Sequence, residues 1–201
     1  MIKAFLFDYG GVITAGGRGS ELSERLGINL HITPDEASAL LVPVWGNFSK
    51  GKITENEFWE SIERQYGKPI NDTQRNMWNK WDDMRPLPEM TELVHRLKNR
   101  GYKVGLVSNI IPVTEKEIRQ HGGYDIFDFL VLSCEVGYAK PDPEIYNLAL
   151  KHLENIKPSE VVFLDDQAHC LVPARELGMS TILVGSASQA IADVDTLLKQ
   201  V

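Results

Sequence analysis

Phe5-Leu6-Phe7-Asp8-Tyr9-Gly10-Gly11-Val12 decides how the chain is read, because an apolar run stops at a carboxylate that two glycines leave open to a ligand. The run has the length and composition of a strand buried on both faces. Far downstream, Leu164-Asp165-Asp166 ends a second apolar run in the same way. Two such strand ends lying side by side would form a site for a hard cation, since carboxylate oxygens are its preferred donors.

From residue 88 onward, helical and strand patterns alternate. Met90, Leu93, Val94 and Leu97 share one face of a helix that opens at Pro88 and stops at Gly101. Val104 to Val107 reads as a strand, and Phe129 to Leu132 as another. A helix follows with Asp142 as its cap and Pro143 in its first turn, then a strand from Val161 to Leu164. A helix ending at Gly178 and a strand from Thr181 to Val184 complete the series. Short apolar strands alternating with helices predict an α/β fold, a Rossmann-like parallel sheet covered by helices on both faces. Such sheets bind ligands at the carboxyl ends of their strands. Asp8, Ser108 and Asp165-Asp166 all fall at such ends.

Between the first strand and residue 88 lie about 70 residues of purely helical character, where a crossover needs only about a dozen. They read as an inserted small helical cap, residues 15–87, with residues 1–14 and 88–201 as the core. Thr54 and Glu57 form a capping box ahead of Phe58, Trp59, Ile62 and Tyr66, and Thr33 precedes Pro34 at another helix start. Gly16-Gly17 and Arg85-Pro86-Leu87-Pro88 are the linkers. Trp45, Trp59, Trp78 and Trp81 all fall in the insertion, where bulky rings fill the core of a small bundle. A homodimer contact or a substrate contact is the alternative use for them.

With 201 residues, 43% of them hydrophobic and 24% charged, the chain has the composition of a globular protein that buries a core. A net charge of −7 and a pI near 5.3 argue against nucleic acid and against an anionic membrane as partners. Cys134 and Cys170 form no disulfide framework or zinc spacing, and no apolar segment approaches a membrane span, so the expected location is cytoplasmic. His31, His95, His121 and His152 show no metal-ligand spacing, and His169 reads as a helix-surface residue.

A carboxylate that attacks phosphorus needs the charge of its target neutralised, which calls for a cation held by oxygen ligands. Asp8, Asp166 and the carbonyl of Gly10 can supply such ligands for Mg2+, with Asp165 orienting them by hydrogen bonding. Ser108 and Asn109, just past the second core strand, offer a hydroxyl and backbone N–H groups to a phosphate. Lys140, in Gly137-Tyr138-Ala139-Lys140-Pro141-Asp142-Pro143, offers an ammonium to offset charge on Asp8 and on the transferring group. Each element alone is weak, since Asp-Asp can simply cap a helix and a lone lysine is usually solvated. Together, in order at successive strand ends, they favour phosphoryl transfer.

The combination of Asp8, Ser108, Lys140 and Asp165-Asp166 resembles the four motifs of the haloacid dehalogenase superfamily across nearly the whole chain. Pro158 to Asp166, continuing through Pro173-Ala174-Arg175-Glu176-Leu177-Gly178-Met179, looks most like the N-terminal phosphatase domain of soluble epoxide hydrolase and bacterial sugar-phosphatase relatives. Ser133-Cys134-Glu135-Val136-Gly137 supports the same subgroup. The resemblance implies Mg2+-dependent hydrolysis of a small phosphorylated, sugar phosphate-like metabolite through an aspartyl-phosphate on Asp8. It also shows two departures. Gly10 stands where the superfamily's phosphatases carry a second aspartate, their general acid and base, a change expected to cost about 10²–10⁴ in rate. Tyr9 is expected to face the other way by strand alternation and not to replace it. Cys170 stands where the subgroup usually has asparagine.

Two other readings remain open at this stage. A metal-independent 2-haloacid hydrolase shares the nucleophile and needs no protonating acid, but Asp165-Asp166 is not expected of it. An impaired phosphate-binding or interaction module would explain Gly10 and the aromatic-rich insertion.

Overall fold

A computed structural model describes residues 1–16, 21–78 and 80–199. Five strands form one parallel sheet: β1 (Ala4–Phe7), β2 (Lys103–Ser108), β3 (Phe129–Leu132), β4 (Val161–Asp165) and β5 (Ser180–Leu183). Their order is β3-β2-β1-β4-β5, so β1 is central and the chain reverses its direction of progress on either side of it. Phe7 pairs with Leu106 of β2 and Leu164 of β4, which brings three strand ends level. A doubly wound sheet opens its binding crevice at such a reversal.

Side-chain alternation divides the sheet between two cores. Phe5, Phe7, Val104, Leu106, Val162 and Leu164 face one layer of helices, while Ala4, Leu6, Val107, Val131, Val161 and Phe163 face the other. In β2, between β3 and β1, Gly105 lies beneath the Phe129 ring, and a Cβ there would run into the ring. Glycine is what permits that ring to approach the strand so closely.

Between β1 and the next core helix the chain is helical, as its pattern predicts. It forms α1 (Glu21–Leu30), α2 (Pro34–Phe48), α3 (Glu55–Tyr66), α4 (Asp72–Arg75) and α5 (Trp81–Met84). The Thr54–Glu57 capping box opens α3, and Thr33 forms an equivalent box with Glu36 at the start of α2. Leu26, Leu30, Leu41, Val44, Phe48, Phe58, Trp59 and Ile62 make a third, separate core for these helices. Gly17 of the first linker lies outside the described residues.

Five core helices and one short one follow: α6 (Pro88–Asn99), α7 (Pro112–Gln120), the short α8 (Ser133–Val136), α9 (Pro143–Lys151), α10 (Ala168–Glu176) and α11 (Ala187–Lys199), with a 3₁₀ turn at Pro158–Glu160. Met90, Leu93, Val94 and Leu97 are the buried face of α6, and Asp142 caps α9 by accepting the Glu144 N–H. The helical excursion leaves and re-enters at one neck. There the Leu87 N–H donates to the Ile13 carbonyl at 2.8 Å, and the Tyr9 hydroxyl donates to the Met84 carbonyl at 2.9 Å.

The tryptophans divide differently from expectation. Trp59 is fully buried in the third core, and Trp45 and Trp78 pack partly against it. One carboxylate oxygen of Glu55 accepts both the Trp59 and Trp78 indole N–H groups. Trp81 instead packs on the main core and stacks on His121, with ring centroids 4.9 Å apart. Among the described residues no helix is long and apolar enough to cross a membrane.

Candidate active site

Asp8 follows β1, Ser108 ends β2, and Asp165 ends β4 with Asp166 next in sequence. The Asp8 N–H donates to the Leu164 carbonyl at 2.9 Å, continuing the β1–β4 pairing one residue beyond the strand. That continuation sets the Asp8 and Asp165 side chains side by side. Carboxylate oxygens of Asp8, Asp165 and Asp166 lie within 4.8 Å of one another. An all-oxygen donor set of this kind suits a hard divalent cation.

Lys140 enters from the segment between α8 and α9, with its side chain only 1% exposed. Its Nζ lies 2.6 Å from Asp165 Oδ2 and 2.9 Å from Asp8 Oδ1, so one ammonium bridges two carboxylates. Burial works against the charge on Lys140, but Asp8 and Asp165 outweigh it and hold the ammonium above the usual lysine range. Burial pushes the Asp165 carboxyl up to about 6, with Asp8 adding to the rise and Lys140 opposing it. Asp165 has both oxygens engaged, because its Oδ1 accepts the Gln167 N–H at 2.8 Å.

Asn109 grips the backbone of Lys140. Its Oδ1 accepts the Lys140 N–H at 2.7 Å, and its Nδ2 donates to the Lys140 carbonyl at 2.8 Å. Ser133, wholly buried, anchors the next residue by accepting the Ile110 N–H at 2.9 Å, and its hydroxyl lies 2.7 Å from the Ser49 carbonyl. The loop after β2 is thereby tied both to the lysine and to the end of α2.

The haloacid dehalogenase-like hydrolase family matches residues 2–178. The chain belongs to that family. Over 92% of its length this hydrolase is 32% identical to the glyceraldehyde 3-phosphate phosphatase of Methanothermobacter thermautotrophicus, and the match covers 87% of that protein. It is 33% identical, over 73% of its length, to bifunctional epoxide hydrolase 2 of Mus musculus. The match spans 29% of that much longer relative. A HAD family enzyme from Bacteroides thetaiotaomicron, solved in complex with magnesium and inorganic phosphate, superposes with a TM-score of 0.72 at 28% identity. That likeness covers 90% of this chain and 93% of the other.

Above the carboxylates the hydrolase has a cavity of about 200 Å³, lined by Asp8, Gly10, Ser108 and Asn109 below and by helices α1 and α2 above. Glu21, Leu22 and Arg25 contribute from α1, Trp45 from α2, and Met77 and Trp78 from the segment after α4. None of these α1 residues stands out as a motif in the sequence. Their i, i+1, i+4 spacing, beside the buried Leu26 and Leu30, is the signal that one face of α1 looks inward.

Tyr9 and Cys170 are structural. The Tyr9 ring joins Phe5 and Phe7 in one core and meets Tyr124 edge-on at 5.4 Å, while its hydroxyl is taken by the Met84 carbonyl. Cys170 is 1% exposed, and its carbonyl accepts the Tyr146 hydroxyl. His169 is exposed.

Proposed function

We propose that the hydrolase is a Mg2+-dependent phosphatase of small phosphorylated metabolites, with Asp8 as nucleophile. The observation that supports this most directly is Lys140 bridging Asp8 and Asp165 inside a cluster of three carboxylates. A metal-independent halide-releasing hydrolase is not expected to carry the paired carboxylates Asp165 and Asp166 beside its nucleophile. Asp8, Asp166 and the Gly10 carbonyl would hold the cation, which when bound neutralises charge on the phosphate oxygens.

The chain's own residues do the remainder. Ser108 offers its hydroxyl and Asn109 its backbone N–H to the phosphate, while Lys140 offsets the negative charge that collects beside Asp8. Asp8 displaces the leaving oxygen and forms an aspartyl-phosphate, which water then hydrolyses. Asp165 holds Lys140 in place. The helices of residues 15–87 act as a cap that closes over residues 1–14 and 88–201, excluding bulk water. Two free thiols, Cys134 and Cys170, agree with a reducing, cytoplasmic setting.

Phosphate release measured with Mg2+ and with chelator, for the parent and for Asp8→Asn, tests the reading. Metal-dependent release that disappears in Asp8→Asn is expected. Turnover that survives in Asp8→Asn overturns the aspartyl-phosphate route.

A further inference from the structure

Cleaving a phosphate ester leaves an electron pair on the departing oxygen. An alkoxide needs a proton as it leaves, whereas a weakly basic phenolate does not. Around the Asp8 end of the cavity, the groups best placed to give a proton among the described residues are engaged elsewhere. The Tyr9 hydroxyl already donates to the Met84 carbonyl, and Lys140 is held by Asp8 and Asp165. Glu21 stands 3.7 Å from the Arg25 guanidinium. Gly10, beside the nucleophile, has no side chain at all.

The walls of the cavity carry a second, independent indication. Leu22, Trp45, Met77, Trp78 and Ile111 make part of its lining apolar and partly aromatic, beside the polar Glu21, Arg25, Ser49 and Thr114. Trp78 is fixed by its indole bond to Glu55 at 2.7 Å and by packing against Phe48, Phe58 and Trp59, so this wall is preformed. The volume of about 200 Å³ exceeds the roughly 150 Å³ of a dry cavity that holds benzene, and falls below the roughly 300 Å³ where pockets for larger ligands begin. It has room for one ring.

Resting on the phosphatase reading, we propose that the substrate class is aryl phosphate: a single apolar ring bearing phosphate on a weakly basic oxygen. A carboxylate oxygen of Asp8 bonds to phosphorus while the bond from phosphorus to the aryl oxygen breaks. The electron pair departs with that oxygen, and the phenolate takes its proton from solvent. Water then attacks phosphorus, restoring the Asp8 carboxylate and leaving both its protons on inorganic phosphate.

The test measures kcat/KM of the full chain, with saturating Mg2+, on ring-substituted phenyl phosphates, cyclohexyl phosphate and glycerol phosphate. A steep rise with the acidity of the phenol is expected, with phenyl ahead of cyclohexyl phosphate by about 10²–10⁴-fold, the size of the contribution a general acid would otherwise make. Glycerol phosphate is expected to be no better than cyclohexyl phosphate. Glu21→Gln is expected to keep the same slope. Equal rates for phenyl and cyclohexyl phosphate, a preference for glycerol phosphate, or a slope that steepens in Glu21→Gln overturns the proposal and leaves the phosphatase reading standing. Failure of every ester to release phosphate overturns both.

Discussion

Asn109 and Lys140 are 31 residues apart in sequence yet locked together by two hydrogen bonds between one side-chain amide and one backbone. The contact fixes the height at which the lysine enters the site. Asn109→Ala is expected to cost about 1–3 kcal/mol of stability, because the Lys140 N–H and carbonyl lose their partner. It should also lower kcat about 10²-fold, the effect of a misplacement near 1 Å. Chemical unfolding and steady-state kinetics check the two figures, and unchanged kcat would deny Asn109 its positioning role.

Lys140→Met should destabilise the protein by about 3–5 kcal/mol, since it leaves Asp8 and Asp165 facing each other unneutralised. Saturating Mg2+ should recover part of that loss, about 2.7 kcal/mol at a hundred times Kd, and raise Tm more in the variant than in the parent. Equal Mg2+ shifts in both proteins would argue against a cation among the three carboxylates.

The same lysine sets a limit at alkaline pH. Its folded-state pKa is raised above the unfolded value of about 10.4. Its stabilising contribution is therefore fully present below that value and is lost only as pH climbs through the raised one. Denaturation curves taken from pH 7 to 10 should show no loss assignable to Lys140, which a comparison with Lys140→Met over the same range would reveal.

Tyr9→Phe distinguishes a structural hydroxyl from a proton donor. Removing it strands the Met84 carbonyl and should cost about 1–3 kcal/mol. The rate on cyclohexyl phosphate, whose alkoxide is the leaving group that needs a proton, should stay within about twofold, because no proton passes through Tyr9, and a fall near the roughly 10²-fold floor for a lost general acid would reinstate it.

Burial pushes the Cys134 and Cys170 thiols up to about 12. Thiolate is the reactive form, so alkylation by iodoacetamide at pH 8 should run on the order of 10³-fold slower than for an ordinary exposed thiol and still be climbing at pH 10. Mass spectrometry after timed quenching measures it. Fast labelling of either residue in the folded protein would contradict the burial.

The sheet was legible in the sequence, and Asp8, Ser108 and Asp165 with it, because each of these side chains stands at the end of an apolar run, whereas Lys140 was marked only by the proline-rich turn before α9. The grip of Asn109 on Lys140 was not legible, since it depends on how β2, β3 and the turn before α9 meet in space. The backbone N–H offered to the phosphate at Asn109 is compatible with this grip, since only the side chain is spent on Lys140. Glu21, Leu22 and Arg25 were missed because the seat of α1 is set by Leu26 and Leu30 packing among other helices. Trp81 belongs to a different core from its three neighbours because helical periodicity tells which face is buried, not against what.

The stitched neck at Ile13–Leu87 and Tyr9–Met84 has a wider meaning for this architecture. The chain departs from the sheet and comes back to it within one hydrogen-bonded junction, so everything hung beyond that junction is topologically a side branch. A branch so attached can be lengthened, shortened or exchanged for another without moving a single strand register. On the proposed reading, chemistry and selectivity would reside in separable stretches of one polypeptide, so that a new ligand preference could be grafted on while the reacting groups stay where they are.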